Sequence, residues 1–450
     1  MEQRDVLLVG SGAREHAIAD ALTREGNAEL HAAMQVVNPG ILALSRTTHP
    51  SESDAQGITA FGRSAGADFA VVGPEKPLEA GLVDALEEAG IPCASPTRGA
   101  ARIETNKIFM RQLLGRYGIP GQVEHLETSL LSQALAFCEQ HQWQVAVKPI
   151  GLTSGKGVRV WGDHLHTPEE VKQYITQVLR TRMSGYDEVL IEELLRGQEY
   201  TIHFFSDGTH AVASPAVQDH KRAFDGDQGP NTGGMGSYSD ANGRLPFLSQ
   251  QEYETSVSIG QQVIAALNEE GVPFKGVLYG QFMLTAKGPQ IVEINARFGD
   301  PEAINTLMVL RSNYADLCMA MIHGGIREDM ASFDDKATVV QYVVPQGYGS
   351  APRAGEDVLI DEPVIREIGA SIFYASCNLL GAAKGKTRVR TTASRTLALA
   401  ATGSSLEDAR KRTMEALQFV TGNVFHRTDI ASEESLRAKV AQIQALRGSR

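Results

Sequence analysis

The N-terminal end of this chain repeats one pattern: a short apolar run, a glycine-bearing turn, then a helical stretch. Val6–Val9 run into Gly10-Ser11-Gly12, and Ala17, Ile18, Ala21 and Leu22 then recur at helical spacing between His16 and Arg24. Phe69–Val72 run into Gly73-Pro74-Glu75, followed by a helix ending near Gly90 and a further apolar run, Ile91-Pro92-Cys93-Ala94. Strand, loop, helix and strand in repetition predict a parallel α/β sheet. Ligands on such sheets bind at the carboxyl ends of the strands, where these glycines sit.

The 450 residues are enough for about three domains without disulfide or metal staples. The first break is Gly118-Ile119-Pro120, which closes an N-terminal α/β domain, 1–118. A small α+β unit, 119–193, has strands at Gln144–Pro149, Val158–Trp161 and Val189–Glu193, and a helix from about Glu169 to Met183 capped by Thr167-Pro168. A larger unit, 194–330, has strands near Tyr200–Phe205, Val277–Leu284 and Gln290–Ala296, plus a long polar loop from Gln218 to Ser239. The tail, 331–450, reads as a mixed β domain with strands at Thr338–Val344, Val358–Asp361, Ser371–Ala375 and Thr396–Thr402, ending in a helix pair. The formal charge of −12 argues against nucleic-acid and membrane-surface partners. Four widely spaced cysteines fit no disulfide or zinc pattern and read as reduced thiols of a cytoplasmic protein. The chain reads as having no signal peptide and no apolar run near about 18 residues.

The sharpest chemical signal is Glu293-Ile294-Asn295-Ala296-Arg297. A strand period of two puts Glu293, Asn295 and Arg297 on one face. A carboxylate and an amide oxygen are hard ligands suited to Mg²⁺, and Arg297 beyond them would stabilise phosphoryl charge during transfer. The alternative is a sheet with a solvated polar face. A hairpin turn at Thr285–Gly288 would set Gln281 opposite Glu293, as a third metal ligand or as a structural glutamine.

Lys148 ends a strand and is followed by a loop holding Gly151, Gly155, Lys156 and Gly157. A P-loop needs four residues before Gly-Lys and a hydroxyl residue after it. Here there are three, and Gly157 follows. What remains is a lysine facing nucleotide phosphates and a glycine loop able to cover them, or a tight turn with surface lysines. Val189–Ile191 lead into Glu192, Glu193, Leu194 and Leu195, an arrangement suited to an adenine slot, with Glu199 placed for ribose hydroxyls; a plain strand end is the alternative. Gly10–Gly12 could bind a phosphate at a helix N-terminus, but Glu15 stands where the dinucleotide fingerprint needs glycine, so NAD is disfavoured. In the polar loop, Lys221 and Arg222 could grip an anionic substrate, unless the loop is disordered.

Gly10–His16, Gly73-Pro74-Glu75, Gln218-Asp219-His220-Lys221-Arg222, Gly229-Pro230-Asn231-Thr232-Gly233-Gly234-Met235-Gly236 and Arg297-Phe298-Gly299-Asp300-Pro301-Glu302 occur in that order. Together they resemble the phosphoribosylamine–glycine ligases, from Val6 to about Gly422. The resemblance implies an ATP-grasp fold with an N-terminal α/β domain, a mobile lid, a central domain and a small C-terminal domain. It implies ATP as co-substrate, Mg²⁺ or Mn²⁺, and ligation of glycine to 5-phosphoribosylamine through a glycyl phosphate. Carried onto this sequence, it places Lys107 and Lys148 on ATP phosphates, Glu192–Leu195 at adenine, Glu199 at ribose, and Glu293, Asn295 and Gln281 at the metal. Arg297 would stabilise transfer. Gly12, Arg14, Glu15, Asp219, Lys221, Arg222, Asp300 and Glu302 would face glycine and phosphoribosylamine. Pro149-Ile150, Thr153-Ser154, Ala13 and Gly280-Gln281 depart from the common family pattern. The expected assembly is a monomer or weak homodimer. The other readings are an ATP-grasp carboxylate–amine ligase with a different acceptor, and a nucleotide-binding protein without catalysis.

Overall fold

A computed structural model describes residues 3–153 and 157–448. The first unit is built as the N-terminal pattern predicts. Strands β1 (Arg4–Val9), β2 (Ala28–Ala33), β3 (Ser45–His49) and β4 (Phe69–Val72) form a parallel sheet in the order β3-β2-β1-β4. Helices α1 (Ala13–Thr23), α2 (Pro39–Leu44), α3 (Ala55–Ala65), α4 (Glu75–Glu79) and α5 (Leu82–Glu88) connect or flank the strands. Val6 to Val9 and Phe69 to Val72 are almost wholly buried, as continuous apolar strands covered on both faces must be. Before Gly118 the chain forms two helices, α6 (Arg98–Thr105) and α7 (Lys107–Arg116), separated where the Asn106 side chain caps the second at Phe109 N–H.

The second unit is an antiparallel sheet ordered β5-β8-β6-β7, from β5 (His125–Thr128), β6 (Val145–Pro149), β7 (Arg159–Val160) and β8 (Val189–Glu193). Helices α8 (Leu131–Gln140) and α9 (Pro168–Thr181) cover one face, with their own small core around Val147, Val171, Ile175 and Ile191. Thr167 and Glu170 form a capping box at the start of α9.

The third unit carries the long strands β9 (Gln198–Asp207), β10 (Ala211–Ala213), β15 (Lys275–Thr285) and β16 (Gly288–Asn295) in the antiparallel order β10-β9-β15-β16. The 20-residue helix α10 (Gln250–Glu269) lies on them, with Gly260 so close to the Phe204 ring that a Cβ would sit 2.1 Å from it. Two shorter helices, α11 (Glu302–Val309) and α12 (Tyr314–His323), follow.

The segment from Gln218 to Ser239 departs from the loop reading. It contains β11 (Gln218–Asp219), β12 (Arg222–Phe224), β13 (Gln228–Asn231) and β14 (Gly236–Ser239). β12 and β13 form a hairpin, while β11 and β14 join the C-terminal sheet. That sheet runs β11-β14-β17-β22-β19, from β17 (Ala337–Pro345), β19 (Ala370–Tyr374) and β22 (Leu397–Gly403). A second sheet, β20-β21-β18-β23, uses β18 (Asp357–Ile360), β20 (Cys377–Ala383), β21 (Lys386–Thr391) and β23 (Val420–Gly422). The tail holds α13 (Glu362–Glu367), α14 (Leu406–Leu417), β24 (Val424–Phe425) and α15 (Glu433–Gly448). The terminal helices are therefore not a contiguous pair, because β23 and β24 lie between them. Among the described residues, no helix is long and apolar enough to cross a membrane, and all four cysteines are free and buried.

The turn after β1 shows why its glycines are needed. Gly10 has φ +131°, and a Cβ there would lie 2.4 Å from Glu15 Cγ. A Cβ at Gly73, after β4, would lie 2.2 Å from Glu15 Oε1. The two strand-end turns close around one carboxylate. Gly10→Ala is expected to cost about 2–4 kcal/mol in urea denaturation, from backbone strain plus a steric clash. Gly26→Ala, at φ +71° with nothing within 4 Å, is expected to cost about 1 kcal/mol.

Candidate active site

Among the described residues, most of the charged side chains singled out in the sequence, Arg222 excepted, lie where the carboxyl ends of β1 and β4 meet β6, β8, β15 and β16. In the hairpin of β15 and β16, Gln281 stands opposite Glu293 and Tyr279 opposite Asn295. Asn295 Nδ2 donates to Glu293 Oε1 at 3.1 Å, so the two share a face as strand periodicity requires. Burial pushes the Glu293 carboxyl up, but Lys221 and Lys107 outweigh it and hold it below its ordinary value. One ionised carboxylate with a neighbouring amide is the donor set that Mg²⁺ accepts when nucleotide phosphates supply the rest. The residues present fit a phosphate-bridging cation. The Gln281 amide reaches elsewhere: its Nε2 donates to Glu199 Oε2 at 2.7 Å, and Lys221 Nζ donates to the same oxygen at 2.8 Å. Glu199, Gln281 and Lys221 are thus one linked group.

Arg297 is not on the strand. β16 ends at Asn295, because the chain bends at Ala296, whose N–H is taken at 2.8 Å by Glu104 Oε2. The same Glu104 pairs with Arg297 Nη2 at 3.0 Å, and Glu75 stands 3.8 Å from Arg297 Nε. Desolvation opposes the guanidinium charge, yet Glu104 and Glu75 outweigh it and raise the Arg297 pKa. Glu104 left no motif in the sequence. Its signal is a carboxylate in phase with the apolar stripe of α6, beside Ala100, Ala101 and Ile103.

The Glu192 side chain is held in an ion-pair clamp. It is buried between two cations, with Oε1 accepting from Arg111 Nε at 2.8 Å and Oε2 lying 2.6 Å from Lys148 Nζ. Burial pushes its carboxyl up, but Arg111 and Lys148 bring it down to about 2. Lys148 Nζ also donates to Val292 O at 3.2 Å, and Arg111 Nη2 to Ile291 O at 3.1 Å. Arg111, fully buried on α7, is a second residue the motifs missed. Lys107 Nζ donates to Gly151 O at 3.1 Å, and burial lowers its pKa. Glu193, Leu194 and Leu195 are half-buried at the exit of β8, where backbone groups would meet a base. Gly157 is buried, with its carbonyl accepting from the Tyr174 hydroxyl. Gly155 and Lys156 lie outside the described residues.

The Gly10–Glu15 turn is closed by one of its own side chains. Glu15 Oε2 accepts from Gly12 N–H at 2.7 Å, and Glu15 Oε1 from Arg14 Nε at 2.6 Å. One backbone N–H at this helix N-terminus is therefore taken by the protein's own carboxylate. Arg14 turns toward the site and donates to Phe298 O at 3.1 Å. Beyond it, Glu302 accepts from Tyr279 Oη at 2.8 Å, and Asp219 is raised well above its ordinary value by burial and by Glu302. Asp300 is paired with Arg395 Nη2 at 2.8 Å, and Arg395 Nη1 also donates to the carbonyls of Gly233, Gly234 and Asp300. Arg395 comes from the C-terminal domain and is a third residue that no motif announced. Arg222 points away from this group, to Asp163 Oδ2 at 2.9 Å in the second unit.

Residues 4–104 match the N domain of phosphoribosylglycinamide synthetase, 105–303 its ATP-grasp (A) domain, and 338–433 its C domain. The chain belongs to the phosphoribosylglycinamide synthetase family. It is 44% identical over 441 residues to a phosphoribosylamine–glycine ligase of Methanobrevibacter smithii, covering 98% of this chain and 99% of that protein. A Pyrococcus abyssi protein of the same name is 42% identical over 442 residues, covering 98% of each. A solved phosphoribosylamine–glycine ligase from Thermotoga maritima superposes with TM-score 0.79 at 25% identity, over 95% of this chain and all of that one. The fold is also that of the biotin carboxylase domain of Hydrogenobacter thermophilus 2-oxoglutarate carboxylase, with TM-score 0.72 at 15% identity over 100% of this chain and 96% of that one. The second and third units both lie largely within the ATP-grasp (A) domain match.

The Glu192 clamp has a pH signature. A carboxyl held at about 2, against an ordinary 4.5, stabilises the fold fully above about pH 4.5 and loses that contribution as pH falls toward 2. Glu192→Gln is expected to cost about 3–5 kcal/mol at neutral pH, since it strands Arg111 and Lys148. Its stability is expected to fall less steeply than the wild type's between pH 4.5 and 2, read by urea titration at each pH.

Proposed function

We infer that this protein is an ATP-dependent carbon–nitrogen ligase that joins glycine to 5-phosphoribosylamine, giving glycinamide ribonucleotide, ADP and phosphate in purine synthesis. The observation that carries the reading is the cluster of charges from Lys107 on α7, Lys148 on β6, Glu293 on β16 and Arg297 just past it, in a chain whose relatives bear that enzyme's name over their full length.

Lys148, fixed by Glu192, and Lys107 hold the ATP phosphates as point charges. Glu293 and Asn295 would hold Mg²⁺ or Mn²⁺, which when bound neutralises phosphate charge as the γ-phosphoryl group transfers. The residues after β8, Glu193 to Leu195, line the adenine, and Glu199 takes the ribose hydroxyls. The glycine carboxylate attacks the γ-phosphorus to form a glycyl phosphate. Arg297, locked by Glu104 and Glu75, is pre-aimed at charge developing on the transferred group and needs no reorganisation to meet it. Asp219, Asp300 and Glu302 form an acidic pocket suited to the ammonium group of glycine. The amine of phosphoribosylamine then attacks the acyl carbon and phosphate leaves.

The test is ADP release from the purified chain with ATP and Mg²⁺, adding glycine and freshly made phosphoribosylamine singly and together. Turnover is expected only with both; a requirement for another amine would overturn the assignment. Glu293→Ala is expected to lower turnover by about 10²-fold or more with an unchanged circular dichroism spectrum.

A further inference from the structure

The β12–β13 hairpin is gripped from two sides by parts of the chain that otherwise have little to do with one another. On one side stands Arg427, 1% exposed. It donates to Arg222 O at 3.0 Å and Asp227 Oδ1 at 2.8 Å, and with its other nitrogens to Asp429 at 2.8 and 2.6 Å. Gly226 N–H donates to Asp429 Oδ2 at 2.9 Å, and Thr428 N–H to Asp225 Oδ1 at 2.8 Å. The hairpin turn, with Gly226 and Asp227 both at positive φ, is therefore bonded at each of its three residues to the segment 427–429. On the other side stands the turn between β7 and α9, the tip of the second unit, which we take as the lid that the family resemblance implies. Asp163 pairs with Arg222 Nη2 at 2.9 Å, and His164 Nε2 lies 3.3 Å from Asn231 Nδ2. Among the described residues, these are the polar contacts of Asp163 and His164 outside the lid. A cavity of about 540 Å³ lies between the two surfaces.

A hairpin of three- and four-residue strands does not hold its shape alone. Its position is imposed by Arg427, and its outer face is where the lid tip rests. The Asp163–Arg222 pair is partly solvated, so it shifts the lid's closing equilibrium only a few-fold. That is the strength expected of a contact that must form and release at every turnover.

We propose that Arg427 is a positioning residue for ATP coupling: through the β12–β13 hairpin it fixes the seat on which the lid tip closes, and the Asp163–Arg222 pair is the latch. This rests on the ligase reading. With the lid seated, the glycyl phosphate waits for the amine. With it unseated, a water oxygen bonds to the acyl carbon and the carbon–oxygen bond to phosphate breaks. Phosphate then leaves with the bonding pair, and glycine is regenerated as the water proton passes to solvent. The net loss is ATP hydrolysis without product.

The experiment measures ADP and glycinamide ribonucleotide together, under saturating ATP, Mg²⁺, glycine and phosphoribosylamine. The ratio does not depend on how much enzyme is folded. The wild type is expected near one ADP per product; failure of wild-type turnover to need both substrates would strike the ligase reading and not this one. In Asp163→Asn the ratio is expected to rise about two- to fivefold, and in Arg427→Met by more. Combining Asp163→Arg with Arg222→Asp is expected to bring it back toward one. In parallel, amide exchange of residues 157–166 is followed with Mg²⁺ and a non-hydrolysable ATP analogue, which needs no activity. Protection on adding the analogue is expected in the wild type and weakened in Asp163→Asn. A one-to-one ratio in both Asp163→Asn and Arg427→Met, or unchanged lid protection in Asp163→Asn, would overturn the proposal.

Discussion

The site depends first on one buried carboxylate. Glu192 joins Arg111 of the helix leading out of the N-terminal domain to Lys148 of the second unit's sheet, and both cations also bond to carbonyls of β16, the strand that carries Glu293. Three units therefore meet in a single ionic contact. The desolvation of Glu192 is large, and only two cations with well-aimed donors offset it. Without that arrangement, Lys148 would have no fixed direction. The placement of Lys148 and the docking of the second unit's sheet on β16 rest on the same bond.

A second carboxylate organises the far side. Glu15 takes the Gly12 N–H at the start of α1, and the turns after β1 and β4 wrap it closely enough to exclude any Cβ at Gly10 or Gly73. The Arg14 that Glu15 holds reaches the carbonyl of Phe298, beside Arg297. The N-terminal domain thus acts on the central site through backbone and ion pairs. The C-terminal domain reaches the same place with Arg395 on Asp300.

Much of this was legible in the sequence wherever a period or a turn announced it. The β15–β16 hairpin, with Gln281 opposite Glu293, follows from alternation and a four-residue turn. The parallel N-terminal sheet follows from apolar runs ending in glycine. The glycines around residue 10 were legible as a close approach, but what they approach is Glu15 rather than a ligand, a distinction spacing alone does not carry. The polar segment from Gln218 to Ser239 hid its strands, since pieces of two to four residues are too short to show a period and β14 finds its partner about a hundred residues on. Glu104, Arg111, Arg395 and Arg427 were silent for a related reason. Each is a single charge whose meaning lies in a distant partner. Glu104 and Arg111 still leave a trace, as charges set in phase with the apolar faces of their helices.

The pairing of β14 with β17 bears on how this protein can be divided. Gly236 to Ser239 face Gln341 to Thr338 residue by residue, so a stretch that belongs in sequence to the central unit belongs in space to the C-terminal sheet. Cutting the chain between the two would not free a self-sufficient catalytic core. It would bare a row of unpaired N–H and C=O groups along β14 and uncover the buried Tyr238 beside them. Such an edge invites another chain to pair with it. The C-terminal domain therefore also serves as the cover that keeps the catalytic half from self-association, and shuffling between related ligases would have to exchange residues 218–239 together with the tail.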